Sequence, residues 1–311
     1  MTGSEDIILH NYHKFASPFS EKVRLTFGLK GLSWCSVECP IAPPRPELDP
    51  ITGGYRRIPI MQIGADVYCD TRCIVDELER RFPRPSLYPN GERGLSEALT
   101  CWANGPMLMN VFGLYFGAET DSVDPDYLND RVTATEGLVN IAQMQAAVPY
   151  FLDQIRVHLS WVERQLADAR AFLLGGQVGG ADFTAYQHIW WLRNTYSQAE
   201  KFLHPFPRVR AWMQRVAAVG HGKRTDISAR DALEVAISSR PRTARTEDLD
   251  DPSGRRCGDR VQIIPDDYLK VPVTGELLAL DVDRVAIRRT DPIAGEMVIH
   301  FPRSGFIVSP A

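Results

Sequence analysis

A chain of 311 residues exceeds what one hydrophobic core usually supports, so the sequence predicts two or three domains. Hydrophobic residues make up 44% and charged residues 24%, and the formal net charge of -4 argues against nucleic acid or an anionic membrane surface as a partner. The first residues lack the basic flank and apolar core of a signal peptide, and no run of about eighteen apolar residues occurs, so we expect a cytoplasmic protein without a membrane span.

Six cysteines are spread thinly along the chain, which favours reduced thiols over a disulfide framework. The pairs Cys35/Cys39 and Cys69/Cys73 have Cys-x-x-x-Cys spacing, but neither has a nearby histidine or second pair to complete a tetrahedral site. We therefore expect no bound metal.

The first elements in chain order are a strand, a helix and a strand. Ile7-Ile8-Leu9-His10 predicts a short buried strand, and Ser17-Pro18 predicts a helix start with Ser17 as N-cap. An apolar stripe at four-residue spacing supports that helix, and a second strand is predicted from Trp34 to Val37. The first unit of secondary structure is therefore βαβ.

A proline-rich connection leads to a predicted hairpin and a further helix. The strands are Ile58 to Ile63 and Val67 to Cys69, joined across Gly64-Ala65-Asp66. Asp70-Thr71 opens the helix. This second unit is ββα.

Helical periodicity extends from about Leu95 to Val219, and it predicts a helical domain with a buried central helix at Ala181 to Leu192. A short helix around Ser228 to Ile237 and a charged linker follow. Five short strands are then expected at Arg260 to Ile264, Gly275 to Leu280, Arg284 to Arg289, Glu296 to Phe301 and Phe306 to Val308. Strands so short and numerous favour a small barrel.

Three separated motifs occur in a characteristic order. Ser17-Pro18-Phe19-Ser20 stands at the first helix, Ile58-Pro59 at the third strand, and Asp70-Thr71 before the last helix of the ββα unit. This order resembles the glutathione transferase superfamily, especially its tau and omega classes, although Thr71 replaces the usual serine. Gly179-Gly180-Ala181-Asp182 is similar to the capping box of the family, but Gly179 has no hydroxyl.

The resemblance implies an α/β plus all-α fold for roughly the first 220 residues, and the pattern of the remaining residues adds two further segments. Residues 1–88 would be a thioredoxin-like glutathione-binding domain, and residues 92–222 the all-helical C-terminal domain of the superfamily. Residues 223–256 hold the helix and charged linker, and residues 257–311 form a small all-β barrel that is similar to SH3-like barrels in pattern alone.

The resemblance also implies that glutathione is the cosubstrate, and Ser17 is the residue expected to activate its thiol. A thiol has a pKa of about 8.5, so the thiolate needs stabilisation at neutral pH. A hydroxyl at a helix N-terminus supplies a hydrogen bond and the positive end of the helix dipole. Tyr12 is the alternative donor. Because serine stands where related enzymes carry a nucleophilic cysteine, conjugation is favoured over thiol-disulfide exchange.

The remaining site residues follow from the same motifs. A cis peptide bond at Pro59 would turn the backbone of Ile58 toward the cysteinyl part of glutathione, and Phe19 completes the first motif. Asp70 and Thr71 would hold the γ-glutamyl group, and Arg57, or alternatively Arg45, would hold the glycine carboxylate. The acceptor pocket is expected between the two domains, lined by some of Trp102, Met107, Met109, Phe112, Tyr115 and Phe116.

The sequence therefore predicts a homodimeric glutathione transferase that acts on a small electrophilic or hydrophobic substrate. Isomerisation, dehalogenation and ether cleavage use the same thiolate and remain open. The alternative is a non-catalytic binding or regulatory protein whose C-terminal barrel docks a partner. A barrel that only seals the dimer or covers the active site is a third hypothesis.

Overall fold

The computed structural model describes residues 3–13 and 16–311, which fall into two compact units. The first unit contains Ser33–Glu77, Lys223–Ala311 and the described residues before position 14, and the second contains residues 16–32 and Leu78–Gly222. The first unit thus contains described residues from both the N-terminal and the C-terminal parts of the chain. Residues 1, 2, 14 and 15 of the predicted first domain lie outside the described residues.

The first unit is built on one sheet. Ten strands form it: β1 (Ile8–Asn11), β2 (Ser33–Glu38), β3 (Ile60–Ile63), β4 (Asp66–Cys69), β5 (Lys223–Asp226), β6 (Arg260–Pro265), β7 (Val273–Leu280), β8 (Arg284–Asp291), β9 (Gly295–Pro302) and β10 (Phe306–Pro310). The helices α2 (Asp49–Thr52), α12 (Ala229–Ser238) and the first part of α3 (Thr71–Arg81) also lie in this unit.

Strands β2-β1-β3-β4 have the predicted thioredoxin-like order. β1 runs parallel to β2 and antiparallel to β3, and β4 is antiparallel to β3. All four residues of β1 are buried, as expected of a central strand covered on both faces. β5 pairs in parallel with β2 and is exposed along its whole length. Its charged sequence, Lys-Arg-Thr-Asp, suits a strand that protects a sheet edge.

The C-terminal strands continue this sheet on its other side. Strands β6 to β9 form an antiparallel meander, β10 pairs with β6, and β9 pairs in parallel with β4. Ile60 and Val67 of the first hairpin share one hydrophobic core with Leu277, Ile287 and Ile299 of the meander. The predicted strand-rich C-terminal region is confirmed, and it is integral to the unit that carries the thioredoxin-like strands.

The charged segment predicted as a linker is held against the sheet by polar contacts. Thr243 donates to Asp66 at 2.6 Å and lies 3.0 Å from Nε2 of His300, and both of these partners are buried. Asp251 is also buried, and Arg303 pairs with it at 2.5 Å. The low apolar content of this segment led to the linker prediction. The structure shows instead that its polar side chains form hydrogen bonds and ion pairs with residues of the sheet and its turns.

The second unit is helical. Its helices are α1 (Pro18–Leu29), the end of α3, α4 (Arg93–Trp102), α5 (Leu108–Ala118), α6 (Pro125–Ala134), α7 (Ile141–Ala146), α8 (Val148–Gln165), α9 (Gly180–Thr195), α10 (Ala199–Leu203) and α11 (Pro207–Ala217). A π-helical turn at Ala103–Met107 joins α4 to α5, and a 3₁₀ turn at Thr120–Ser122 follows α5. Across the described residues, none of the helices has the combined length and apolar character required to cross a bilayer.

Helix α9 is the predicted buried central helix, and its N-terminus retains half of the capping box. The Asp182 carboxylate accepts from the Gly179 amide at 3.0 Å, and also from the Leu173 amide and the Trp212 indole, each at 2.8 Å. A Cβ atom at position 179 would lie 2.8 Å from the carbonyl oxygen of Leu87. This close approach explains why glycine, and not serine or threonine, stands at the N-cap.

Candidate functional site

The Ile58-Pro59 and Asp70-Thr71 motifs lie at the same end of the β3–β4 hairpin. Ile60 is paired with Cys69, so the first motif directly precedes this pair and the second directly follows it. The peptide bond before Pro59 is cis, which confirms that prediction. Ile58 and Thr71 are buried. The fold therefore brings together the second and third motifs of the sequence analysis.

Asp70 has an unusual backbone conformation at the start of α3. Its φ of 75° lies in the left-handed region, which a residue with a Cβ rarely adopts. Its Oδ1 atom accepts from the Arg72 amide at 2.8 Å, and its carbonyl accepts from the Ile74 amide at 3.0 Å. Asp70 is therefore the cap of α3, and its strained backbone is typical of residues held for a function.

Arg57, the residue predicted to bind the glycine carboxylate, is engaged by the loop between β6 and β7. Its guanidinium donates to the carboxylate of Asp267 and to the carbonyl of Tyr268, and it lies 4.3 Å from the centre of the Tyr268 ring. The Arg57 side chain is only 14% exposed, whereas that of Asp267 is 55% exposed. A carboxylate of the protein therefore pairs with the guanidinium that the sequence analysis expected to bind a ligand carboxylate.

Tyr12 and Arg45 have structural partners. The Tyr12 hydroxyl donates to the Ile41 carbonyl at 3.1 Å and accepts from Arg45 at 2.6 Å. Arg45 is buried and also donates to the carbonyls of Pro40 at 3.2 Å and Arg56 at 2.9 Å. The Tyr12 hydroxyl therefore donates its proton within the protein, and Arg45 is hydrogen-bonded to the segment between β2 and β3.

Ser17 lies in the second unit as the N-cap of α1. Its backbone is extended, and its Oγ accepts from the Ser20 amide at 3.3 Å. The Ser17 hydroxyl also donates to Ser20 Oγ at 3.0 Å. Ser17 is 7% exposed and Ser20 is fully buried. The hydroxyl therefore stands at the positive end of the helix dipole, with a neighbouring hydroxyl as its present acceptor.

The aromatic and methionine residues expected in the acceptor pocket differ in how far they are buried. Met107 and Phe116 are fully buried and belong to the core of the second unit. The Trp102 indole donates to His158 at 3.1 Å, and Tyr115 packs against Trp191 at 5.3 Å between ring centres. Met109 is 43% exposed. Most of the predicted lining residues therefore have packing roles within the helical unit.

Two family models match the chain, one in its N-terminal region and one in its helical region. The family described as "Glutathione S-transferase, N-terminal domain" matches residues 12–86, and "Glutathione S-transferase, C-terminal domain" matches residues 129–215. A GST-like protein from Pseudomonas syringae, solved as a crystal structure, is 35% identical with a TM-score of 0.80, over 98% of this chain and 100% of that one. The chain belongs to the glutathione S-transferase family.

Members of the glutathione S-transferase family with lower identity show the fold alone. The tau class enzyme of mango, Mangifera indica, is 18% identical with a TM-score of 0.53, over 68% of this chain and 89% of its own. The beta-etherase LigF from Sphingobium sp. strain SYK-6 is 17% identical with a TM-score of 0.51, over 68% of this chain and 95% of its own. A search of curated proteins finds no match.

Glutathione is the cosubstrate of the family, and three buried thiols of this glutathione S-transferase are poorly suited to replace it as the nucleophile. Burial raises the pKa of the Cys69 and Cys73 thiols well above the ordinary value, and it raises the pKa of Cys39 to about 12. Within the described part of the chain, no group of three or more histidine, cysteine, aspartate or glutamate side chains is arranged to hold a metal ion.

The pairing of Asp267 with Arg57 leads to a prediction about cosubstrate affinity. We expect Asp267→Asn to lower the KM for glutathione about two- to fivefold, because a half-exposed ion pair contributes at most about 1 kcal/mol. The Tyr268 carbonyl and ring still hold Arg57 in the variant. Initial rates measured against glutathione concentration test this.

Two controls sharpen the Asp267 experiment. The KM for γ-glutamylcysteine, which has no glycine carboxylate, is expected not to change, and Asp266→Asn in the same loop is expected to leave both KM values unchanged. An unchanged or increased KM for glutathione in Asp267→Asn contradicts competition between the two carboxylates for Arg57.

Proposed function

We propose that this family member is a serine-type glutathione transferase, in which Ser17 stabilises the glutathione thiolate for attack on a small electrophile. The observation that carries the proposal is the buried Ser17 hydroxyl at the N-terminus of α1. Lowering a thiol pKa by about two units requires about 2.7 kcal/mol. One charge-assisted hydrogen bond together with a helix dipole is sufficient for this.

Glutathione would be held by the end of the β3–β4 hairpin. The backbone of Ile58 lies just outside β3, and its amide and carbonyl would pair with the cysteinyl part of glutathione as a strand would. Thr71 and the first amides of α3 would receive the γ-glutamyl carboxylate, and Asp70 its amine. Arg57 would receive the glycine carboxylate once it is released from Asp267. Phe19, in the first turn of α1, would pack against the bound glutathione.

The same thiolate serves several reactions. Conjugation forms a carbon–sulfur bond and expels a leaving group or adds to a double bond, and isomerisation and dehalogenation begin with the same attack. Cleavage of an ether begins in the same way, and the shared fold with a beta-etherase makes it part of the proposal. As is typical of the family, we propose a homodimer.

A second candidate function is favoured by the contacts of Arg57. If Asp267 and Tyr268 hold Arg57 permanently, the chain is a binding or regulatory protein with the transferase fold and an incomplete cosubstrate site. The loop that holds Arg57 belongs to the C-terminal meander, the part of the chain that the sequence suggested for docking a partner.

Ultraviolet absorbance of the bound thiolate distinguishes the two candidates. The purified protein is titrated with glutathione at several pH values, and turnover is measured in parallel with an aryl halide, a benzyl halide and an aryl ether. A thiolate that forms below pH 7 together with turnover of any of these substrates supports the transferase. Glutathione binding without thiolate absorbance or turnover favours the regulatory protein.

A further inference from the structure

Asn104 contacts two buried side chains of α9 from the π-helical turn between α4 and α5. Its Oδ1 atom accepts from Gln187 Nε2 at 2.9 Å and lies 3.0 Å from Nε2 of His188. Gln187 and His188 are fully buried, whereas Asn104 is partly exposed. The Nε2 atoms of Gln187 and His188 also lie 3.0 Å apart, so the three polar groups form one cluster. Because Oδ1 accepts from Gln187, the Nδ2 group of Asn104 with its two hydrogens faces away from that contact.

The π-helical turn is what places Asn104 in this position. Gly105 departs from helical geometry, with φ of -97° and ψ of -105°, and Pro106 follows it. Asn110 donates to the Pro106 carbonyl at 2.7 Å, which adds a side-chain hydrogen bond to the irregular turn. Single π-helical turns are concentrated at functional sites because they redirect side chains out of the regular helical spacing.

The cluster around Asn104 has buried polar atoms without a protein partner. Among the described residues, Oε1 of Gln187 and Nδ1 of His188 make no hydrogen bond. Burial, with a smaller contribution from the charge of Lys22, lowers the pKa of His188 to about 3, so the ring is neutral at physiological pH. Buried polar atoms are rarely left unpaired, and an unpaired set beside an outward-facing amide indicates contact with a polar ligand or water.

Phe19 connects this cluster to the start of α1. Its ring packs edge-on against the His188 ring, with 5.8 Å between ring centres. Phe19 is two residues beyond Ser17, within the first turn that Ser17 caps. The Asn104 cluster therefore lies beside the helix turn on which the proposed thiolate donor stands.

We propose that Asn104 is a specificity residue whose Nδ2 donates a hydrogen bond to an oxygen atom of the electrophilic acceptor, an inference that rests on the proposed function. The acceptor class that gains most is an α,β-unsaturated carbonyl compound, because its oxygen becomes negatively charged during the reaction. A partly buried amide that is already oriented stabilises such an oxygen without reorganisation.

The chemical step is a balanced addition. The glutathione sulfur forms a bond to the β carbon, the electrons of the carbon–carbon double bond move toward the carbonyl, and an enolate oxygen forms within reach of Asn104. The proton that the thiol released is replaced from solvent on the α carbon. No oxidant, reductant or leaving group is required.

Two matched acceptors test the assignment: an α,β-unsaturated ketone, and a benzyl halide that has no oxygen atom. We expect Asn104→Asp, which keeps an oxygen toward Gln187 and His188 but removes both Nδ2 donors, to lower kcat/KM for the ketone about 10- to 100-fold. For the benzyl halide we expect a change of less than about threefold. Asn104→Ala provides a second, uncharged variant, and Asn129→Asp on the exposed face of α6 is the control.

The outcomes separate this inference from the proposed function. Selective loss with the ketone in both Asn104 variants, at unchanged glutathione affinity and thiolate pKa, supports the assignment. Equal loss with both acceptors assigns a structural role and overturns it, as does no loss with either. Wild-type turnover of the benzyl halide without the ketone overturns the assignment and leaves the proposed function standing. Turnover of neither overturns both.

Discussion

Replacing Ser17 by alanine is expected to lower kcat/KM about 25-fold at pH 7, because the thiol pKa returns from about 6.5 toward about 8.5 when its hydrogen-bond donor is lost, and the thiolate fraction falls by that factor. Glutathione affinity is expected to change less than about threefold, since the hairpin residues and Arg57 supply the proposed binding contacts. The loss should diminish as the pH rises to about 9, where the thiol ionises without assistance. Stopped-flow or steady-state rates with an aryl halide from pH 6 to 9 measure this.

Two control variants test whether the effect belongs to the Ser17 hydroxyl. Ser20→Ala removes the present acceptor of that hydroxyl and should leave activity unchanged or higher. Tyr12→Phe should retain the thiolate, because the Tyr12 hydroxyl is committed to Ile41 and Arg45. If Ser17→Ala has wild-type rates while Tyr12→Phe loses them, Tyr12 is the activating residue.

Acidification is expected to destabilise both units through buried neutral histidines. Burial lowers the pKa of His10 in the first unit to about 4 and that of His188 in the second to about 3. The unfolded chain binds these protons near pH 6.5, so stability is lost as the pH falls below 6.5 and the loss ends near the folded pKa. For His10 this corresponds to about 3 kcal/mol between pH 6.5 and 4.

Denaturant unfolding at a series of pH values from 4 to 7 measures the loss of stability. His10→Gln removes one titrating group, so its stability should depend less steeply on pH even if its stability at pH 7 is lower. His204→Gln, at an exposed position of the helical unit, should retain the wild-type dependence. An identical pH dependence in His10→Gln and wild type contradicts the assignment of His10.

Elements with strong local signals were predictable from sequence. The apolar spacing after Ser17-Pro18 predicted α1, and alternation with turn residues predicted the strands that became β6 to β10. β5 was missed because Lys223 to Asp226 is charged throughout, and only its pairing with β2 makes it a strand. An edge strand of this kind has no periodic signal of its own.

The candidate site was predictable as motifs but not as contacts. Ile58-Pro59 and Asp70-Thr71 could be placed from the hairpin pattern, since both flank the same pair of strands. The partner of Arg57 could not, because Asp267 is 210 positions away and belongs to a loop without a recognisable motif. The same reason hid the contacts of Asn104, whose partners Gln187 and His188 looked like ordinary residues of a buried helix.

The parallel pairing of β4 with β9 constrains how the protein is made. His300 of β9 contacts Asp66 of β4 across 234 positions of sequence, so the ribosome must deliver nearly the whole chain before the first unit can complete its sheet. The intervening helical unit is synthesised earlier, and its contacts can form before β4 has paired with β9. The last strands translated therefore complete the part of the fold that was begun first, and premature termination leaves β4 as an open edge available to other chains.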